Sequence, residues 1–474
     1  MKISPTRLIA IVALLIPALL AAPADAQPAG VQTASIPAAA TVDQRAGRAT
    51  GRVIYRGVTV ISATAAGSRD QPKSDMAIVV DGERIRSIES VAGLGADTLK
   101  DAEIVDARGL FAIPGLIDSH VHYATWPARA IAEAELKRNL YGGLTGVRDM
   151  AGDARALADL SRAALINEIP SPDIFYGSLV AGPSFFEDPR TVSSSLGLKP
   201  GQVPWLYAVT DQADLRLTIA QARGTGATGL KIYANLPGPL VQNLIRAAKD
   251  QGFPVWTHQQ VYPATAFDSL GATSVSHACM IARYIREPEK ASYGRSKEPS
   301  YTGLTAADTG IARYISAMAQ SGTMMDATLS VYQPQLNADG TPKPSTRCPI
   351  ALAGDITRAM HAAGIPILAG TDADAGPKNP FPALHAELAA LVRYAGLTPH
   401  EAIVSATRHA ARALGKEKDF GTLEPGKFAN MVLLRADPTA DIANVNTVFM
   451  TVKRGKRFPR ADYRHVDVPV QPDY

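Results

Sequence analysis

The feature that most restricts the fold of this chain is a strand, loop and helix texture that repeats from Gly115 to about residue 371. Apolar runs fall at 115–122, 144–150, 173–180, 229–235, 254–260, 274–280, 323–330 and 365–371. Between them lie stretches such as ARAIAEAELKRNL, DARALADLSRAALI and PLVQNLIRAAKDQ, whose apolar residues recur at helical spacing. Eight strands alternating with helices point to a parallel sheet, because each helix returns the chain to the same end. Closed on itself, this is an α/β fold of the (β/α)8 or TIM-barrel type, with its working groups at the C-terminal ends of the strands. An open doubly wound sheet is the alternative, but no G-x-G-x-x-G follows a strand to support it.

The flanks read differently. Within 51–114, VIYRGVTVI, MAIVVDGERIRSI and AEIVDARGLFAIPG are short β-like runs that cannot close a core alone. Within 416–474, DFGTLEPGKFANMVLLRADP and FMTVKRGKRF return to that texture, and VDVPVQPDY reads as a tail. A small β-sandwich domain assembled from both chain ends is therefore expected beside a barrel covering 115–415. The helix TPHEAIVSATRHAARALG opens on a capping box, Thr398 and Glu401.

At the N-terminus, Lys2 and Arg7 precede an apolar run from Leu8 to Ala22 and a small-x-small site, Ala24-Asp25-Ala26. This predicts a signal peptide over 1–26, cut near Ala26, and export to a periplasm or beyond. The run is short for a membrane span and Pro17 interrupts it, so no membrane anchor is expected. Residues 27–50, rich in Ala, Thr and Gln, read as a linker. A formal charge of +4 on 474 residues is too small and too scattered to argue for nucleic acid. The expected partner is a small molecule or short peptide, with room left for a homo-oligomer. Cys279 and Cys348 could pair in an oxidising compartment, but packing is the simpler reading of both.

The run FAIPGLIDSHVHY, 111–123, carries His120 and His122 at the end of the first barrel strand. Side chains two apart share a strand face, so both imidazoles project the same way, an arrangement that suits zinc. Lys231, His258, His277 and Asp372 close the fourth, fifth, sixth and eighth predicted strands. Singly, each has an ordinary explanation: a solvated lysine, a hydrogen-bonded histidine, a helix-capping aspartate. Their shared placement at strand ends does not, and Lys231 interrupts apolar text, GLKIYA, where a barrel strand is buried.

The series PGLIDSHVH, GLKIYAN, WTH, SVSHA, AGTDA, SATRHAARALG and GTLEPGKFANMVLL resembles the amidohydrolase superfamily, more narrowly its imidazolonepropionase-like, prolidase-type branch, over about residues 51 to 457. The resemblance implies two divalent ions, most simply zinc. His120, His122 and Asp372 would hold the first, His258 and His277 the second, and a CO2-carboxylated Lys231 would bridge them. A mononuclear site with Lys231 in support is the alternative. The implied chemistry is attack of a metal-activated hydroxide on an amide carbonyl, with Asp372 moving the proton to the leaving nitrogen. Tyr233, two residues beyond Lys231, could donate to the developing oxyanion or simply pack.

Dipeptides or N-acyl amino acids are the expected substrates. Lactones, carbamates or phosphotriesters are the alternative within enzymes, and an inactive periplasmic binding protein the alternative outside them. Arg148 could meet a substrate carboxylate or pair with Asp149, and the structural pairing is preferred, while His385 and Glu387 read as supports behind the site. His361, His400, His409 and His465 look ordinary, and the absence of G-x-S-x-G removes Ser-His-Asp hydrolysis. Two long connections, 181–210 and 282–305, are expected to shape substrate choice. Ala278 and Cys279 stand where relatives often have Gly, and Asn430 where Asp is usual.

Overall fold

A computed structural model describes residues 51–64, 71–258, 262–286, 299–334, 347–376 and 378–466. The expected signal peptide and linker, 1–50, most of the tail and the middle of the 282–305 connection lie outside the described residues.

Eight parallel strands form the barrel: Leu116–Val121, Leu144–Asp149, Asp173–Ala181, Gly229–Ile232, Val255–His258, Ser274–Ser276, Met324–Asp326 and Ile367–Leu368. Each pairs in parallel with the next. Ser119 N donates to Ala369 O at 2.9 Å and Asp372 N to His120 O at 2.8 Å, which joins the eighth strand to the first. Both sheet faces are covered, so the strands read as nearly continuous apolar text rather than alternating.

Several strands stop earlier than their apolar runs. The sixth ends before His277 (φ 73°) and the seventh before Thr328 (φ 48°), because left-handed backbone cannot continue a ladder. A 3-10 turn, Leu329–Tyr332, follows the latter. The eighth keeps only two ladder residues, and beyond it the backbone bonds sideways to the first strand. Gln259 and Gln260, expected at the end of the fifth strand, lie outside the described residues.

The connection after the third strand is ordered. It holds a 3-10 turn Pro183–Glu187, a short helix Pro189–Ser193 and strands Gln202–Val203 and Leu206–Ala208. Leu206–Ala208 pairs in parallel with Leu179–Ala181, covering the edge left where the second strand has ended. The helix from Thr398 begins with the expected capping box. It widens into a π-turn, Ser405–His409, before Ala410–Ala413. The widened turn serves the eighth strand: Ser405 O accepts from Ala369 N, and His409 Nδ1 lies 3.0 Å from Ile367 O.

Both chain ends build one mixed eight-stranded sheet. Its order is Lys456–Pro459, Val448–Lys453, Met431–Leu434, Phe111–Pro114, Arg52–Val60, Lys73–Asp81, Arg84–Ser90, with Ala102–Asp106 also on Arg52–Val60. Ile54, Ala77 and Val79 pack with Val91, Leu94 and Ala102 into a small core of their own. The C-terminal hairpin is bolted to the barrel by Lys453, which is 1% exposed. Its Nζ meets Asp173 Oδ1 at 2.9 Å and donates to Ala164 O and Ser171 O. No helix among the described residues is long and apolar enough to cross a membrane.

Lys453→Met should remove two hydrogen bonds to buried carbonyls and one ion pair while Arg454 still pairs with Asp173. A loss of about 2–3 kcal/mol in urea unfolding is expected; an unchanged midpoint would show that the hairpin does not depend on this lysine.

Candidate active site

His120, His122, Lys231, Tyr233, His258, His277 and Asp372 all line one cavity of about 1060 Å3 at the C-terminal ends of the strands. Among the described residues, His120, His122 and Asp372 each present one ligand-type atom within 4.8 Å of the others. Asp372 Oδ1 lies 3.5 Å from His120 Nε2 and 3.4 Å from His122 Nε2. Its Oδ2 lies 3.8 Å from His277 Nε2. The His258 ring centre is 4.7 Å from that of His277, and His120 is 5.2 Å from His277.

The remaining ring nitrogens are held from behind. Nδ1 of His120 is 2.8 Å from Asp326 Oδ2, and Nδ1 of His122 is 3.3 Å from Ala151 O. A carboxylate and a carbonyl can only accept, so these bonds place the proton of each neutral ring on Nδ1 and turn Nε2 into the cavity. His277 Nδ1 meets Thr328 Oγ1 at 2.9 Å.

Lys231 is 1% exposed, and its Nζ has no hydrogen-bond partner. Burial pushes it down to about 8. Burial also lowers His120, and with the nearby His258 it lowers His277 further. Burial alone would raise Asp372, but His120, His122 and His277 together hold it well below the usual carboxylate range. Tyr233 is pushed up to about 12 by burial, although Arg190 opposes the shift and donates a hydrogen bond to its oxygen. Arg190 is itself gripped by Asp188, at 3.0 Å from Nε and 2.8 Å from Nη2. Tyr233 therefore keeps its proton, with one lone pair of its oxygen already engaged.

The backbone bends sharply where these residues emerge. Ala151, Asn235, His277, Thr328 and Asp372 all have positive φ, between 45° and 102°, just past five of the strand ends. For residues other than Gly this costs about 1–3 kcal/mol each, and it concentrates at working sites.

Sequence reasoning missed several supports. Asp326, at the end of the seventh strand, is fully buried and holds His120. A charged residue closing an apolar strand was the signal, the same one that Lys231 gives. Asp118 accepts from His120 N, Thr371 N and Thr371 Oγ1. Arg148 is structural as expected, but its partner is Asp326 at 3.2 Å. Asp149 instead takes Tyr123 N and Ala151 N, because its side chain alternates to the other face of the strand.

His385 does not back the site. It bonds Gly142 O and the Asn446 side chain, at the opposite end of the second strand. Glu387 does act as a support: it accepts from Leu329 N, Ser330 N and Ser330 Oγ, fixing the turn that forms one cavity wall. The packing reading of the cysteines is overturned. The strand-seven connection returns Cys348 to within 6.5 Å (Cα–Cα) of Cys279, and the two form a disulfide on the cavity rim.

The chain belongs to the amidohydrolase family, whose model matches residues 111–458. It is a hydrolase acting on carbon–nitrogen bonds. The chain is 24% identical to the imidazolonepropionase of Geobacillus kaustophilus over 430 residues, 84% of this chain and 95% of the relative. Among solved structures, a Xaa-Pro dipeptidase with bound methionine superposes with a TM-score of 0.65 at 20% identity, covering 86% of this chain and all of that one. The A. niger ochratoxinase gives 0.65 at 19% identity, with 86% and 96% covered. These structural likenesses fix the fold.

Burial raises Glu387 from 4.5 to about 8. Because the folded state then binds the proton more tightly than the unfolded chain, this group's contribution to stability falls as pH rises through that window. Between about pH 5 and 8, Glu387→Gln should make the pH slope of the urea midpoint of the metal-free protein more positive than the parent's by about one proton. An unaltered slope would show that Glu387 does not titrate in this window.

Proposed function

We propose that this protein is an exported hydrolase with two divalent metal ions, zinc in our reading, that cleaves the amide bond of dipeptides or N-acyl amino acids. The observation that carries the reading is Lys231, a buried Nζ without a hydrogen-bond partner in a cavity ringed by four imidazoles and Asp372. An isolated buried ammonium is costly. With Lys231 held at about 8, a neutral amine is accessible near neutral pH. Such an amine adds CO2 to give a carbamate, an anion with two oxygens. Four imidazole nitrogens, a carbamate and a carboxylate fit a pair of divalent ions. His120, His122 and Asp372 would hold the first, His258 and His277 the second, and carboxylated Lys231 both.

The ions supply a Lewis acid for the scissile carbonyl and lower the pKa of the attacking water. Asp372, ionised at the start, takes a proton at its carboxylate and delivers it to the leaving nitrogen. Tyr233 donates its O–H to the oxygen that gains charge, and Arg190 fixes the direction of that hydroxyl. The Leu329–Tyr332 turn and the ordered strand-three connection wall the cavity.

Likeness to the Xaa-Pro dipeptidase supports the peptide preference, as does export, which would bring the enzyme to peptides outside the cytoplasm. Export in turn is supported by the apolar N-terminal segment and by the Cys279–Cys348 disulfide.

The test is release of free amino acid from a library of dipeptides and N-acyl amino acids, with protein restored by zinc and bicarbonate. Turnover is expected, with Asp372→Asn reducing kcat by about 10²-fold or more. No release from protein carrying both ions would refute this substrate class and move the search to lactones, carbamates and phosphotriesters.

A further inference from the structure

Behind His120 lies a buried charge network that no part of the proposed chemistry requires by itself. Asp326 is fully buried, and three donors converge on its Oδ2: His120 Nδ1 at 2.8 Å, Ser276 Oγ at 2.8 Å and Arg148 Nη2 at 3.2 Å. Its Oδ1 has no hydrogen-bond partner. Arg148 is also fully buried. It donates through Nε to Ser119 O and through Nη1 to Ser274 Oγ at 3.0 Å, and its guanidinium lies 5.0 Å from the Trp256 ring centre. Gly370 makes room for the carboxylate, since a Cβ there would collide with Asp326 Oδ1 and with His120 Cβ.

Burying an ion pair gains little stability over a well-packed apolar pair of the same size. Asp326 does something an apolar residue cannot, because its Oδ2 gathers His120, Ser276 and Arg148 at one point. The opposite His120 tautomer would set a ring lone pair against the carboxylate at 2.8 Å. Arg148 pairs with Asp326, and its bonds to Ser119 and Ser274 anchor the guanidinium to the strand-one backbone and to strand six.

We propose that Asp326, anchored by Arg148 and Ser276, is a positioning residue that locks the tautomer and orientation of His120 and so raises its affinity for a divalent ion. The inference rests on the metal-centre reading above. A hydrogen-bonded carboxylate behind a metal-binding imidazole is worth about 10- to 100-fold in metal affinity.

The experiment is zinc binding by chelator competition on metal-free full-length protein: the parent, Asp326→Asn and Lys453→Met. Asp326→Asn keeps the shape but adds donors opposite Arg148 and His120. It should bind zinc about 10- to 100-fold more weakly, while Lys453→Met, destabilised far from the cavity, should bind like the parent. Parent-like affinity in Asp326→Asn would overturn the proposal, and equal loss in both variants would reduce it to general destabilisation. If Asp326→Asn does not fold, 15N-histidine spectra of the metal-free parent decide, with His120 signals identified by their loss in His120→Gln. An Nδ1–H tautomer is expected, and an Nε2–H tautomer would overturn the proposal. A parent that binds no zinc would instead refute the metal-centre reading itself.

Discussion

Closure of the barrel between its first and eighth strands is the constraint on which the site depends. The eighth strand has only two ladder residues, and both pair with the seventh strand. The seam to the first strand is made instead by Ser119 N on Ala369 O and Asp372 N on His120 O, with Asp118 accepting from Thr371 N and Oγ1. These backbone groups are buried, so each must find a partner. Their partners belong to the residues that flank His120 and Asp372. Satisfying the backbone at the seam thus brings Asp372 Oδ1 within about 3.5 Å of both His120 and His122.

Buried charge is handled differently in front of the seam and behind it. Behind it, charges are matched inside the protein: Arg148 with Asp326, Lys453 and Arg454 with Asp173. In front of it, Lys231 has no hydrogen-bond partner, and the four imidazoles gather around Asp372. Charge meets charge where the interior supports the barrel, whereas Lys231 is left without a hydrogen-bond partner where it faces the cavity, and that contrast locates the chemistry. The rim is tied by separate means, with Glu387 gripping the strand-seven turn and a disulfide joining Cys348 to Cys279, just past the end of strand six.

Much of this was legible in the sequence because it depends on local periodicity. The eight apolar runs, the split between barrel and terminal strands and the capping box at Thr398 each follow from residues close together in the chain. Lys231 stood out because it interrupts apolar text where a barrel strand is buried. Asp326 gave the same signal at the end of a strand but lacked a motif around it. The partner of Arg148 was misread because Asp149 is adjacent in sequence, whereas a strand sends neighbouring side chains to opposite faces. Cys279 and Cys348 are separated by 69 residues, and nothing local announces that their connection folds back on itself.

The sequence by itself determined the architecture and the chemical inventory: which strands exist, which ends carry histidine, lysine and aspartate, and that both termini share one sheet. Only the tertiary structure decided where each strand stops, which carboxylate stands behind which imidazole, and what walls the cavity. The physical reason is range. Hydrophobic periodicity is written over a few residues. Strand ends, ion pairs and the disulfide are set by what the closed barrel brings within about 3 Å, often from 200 residues away, as Asp326 is brought to His120 across 206.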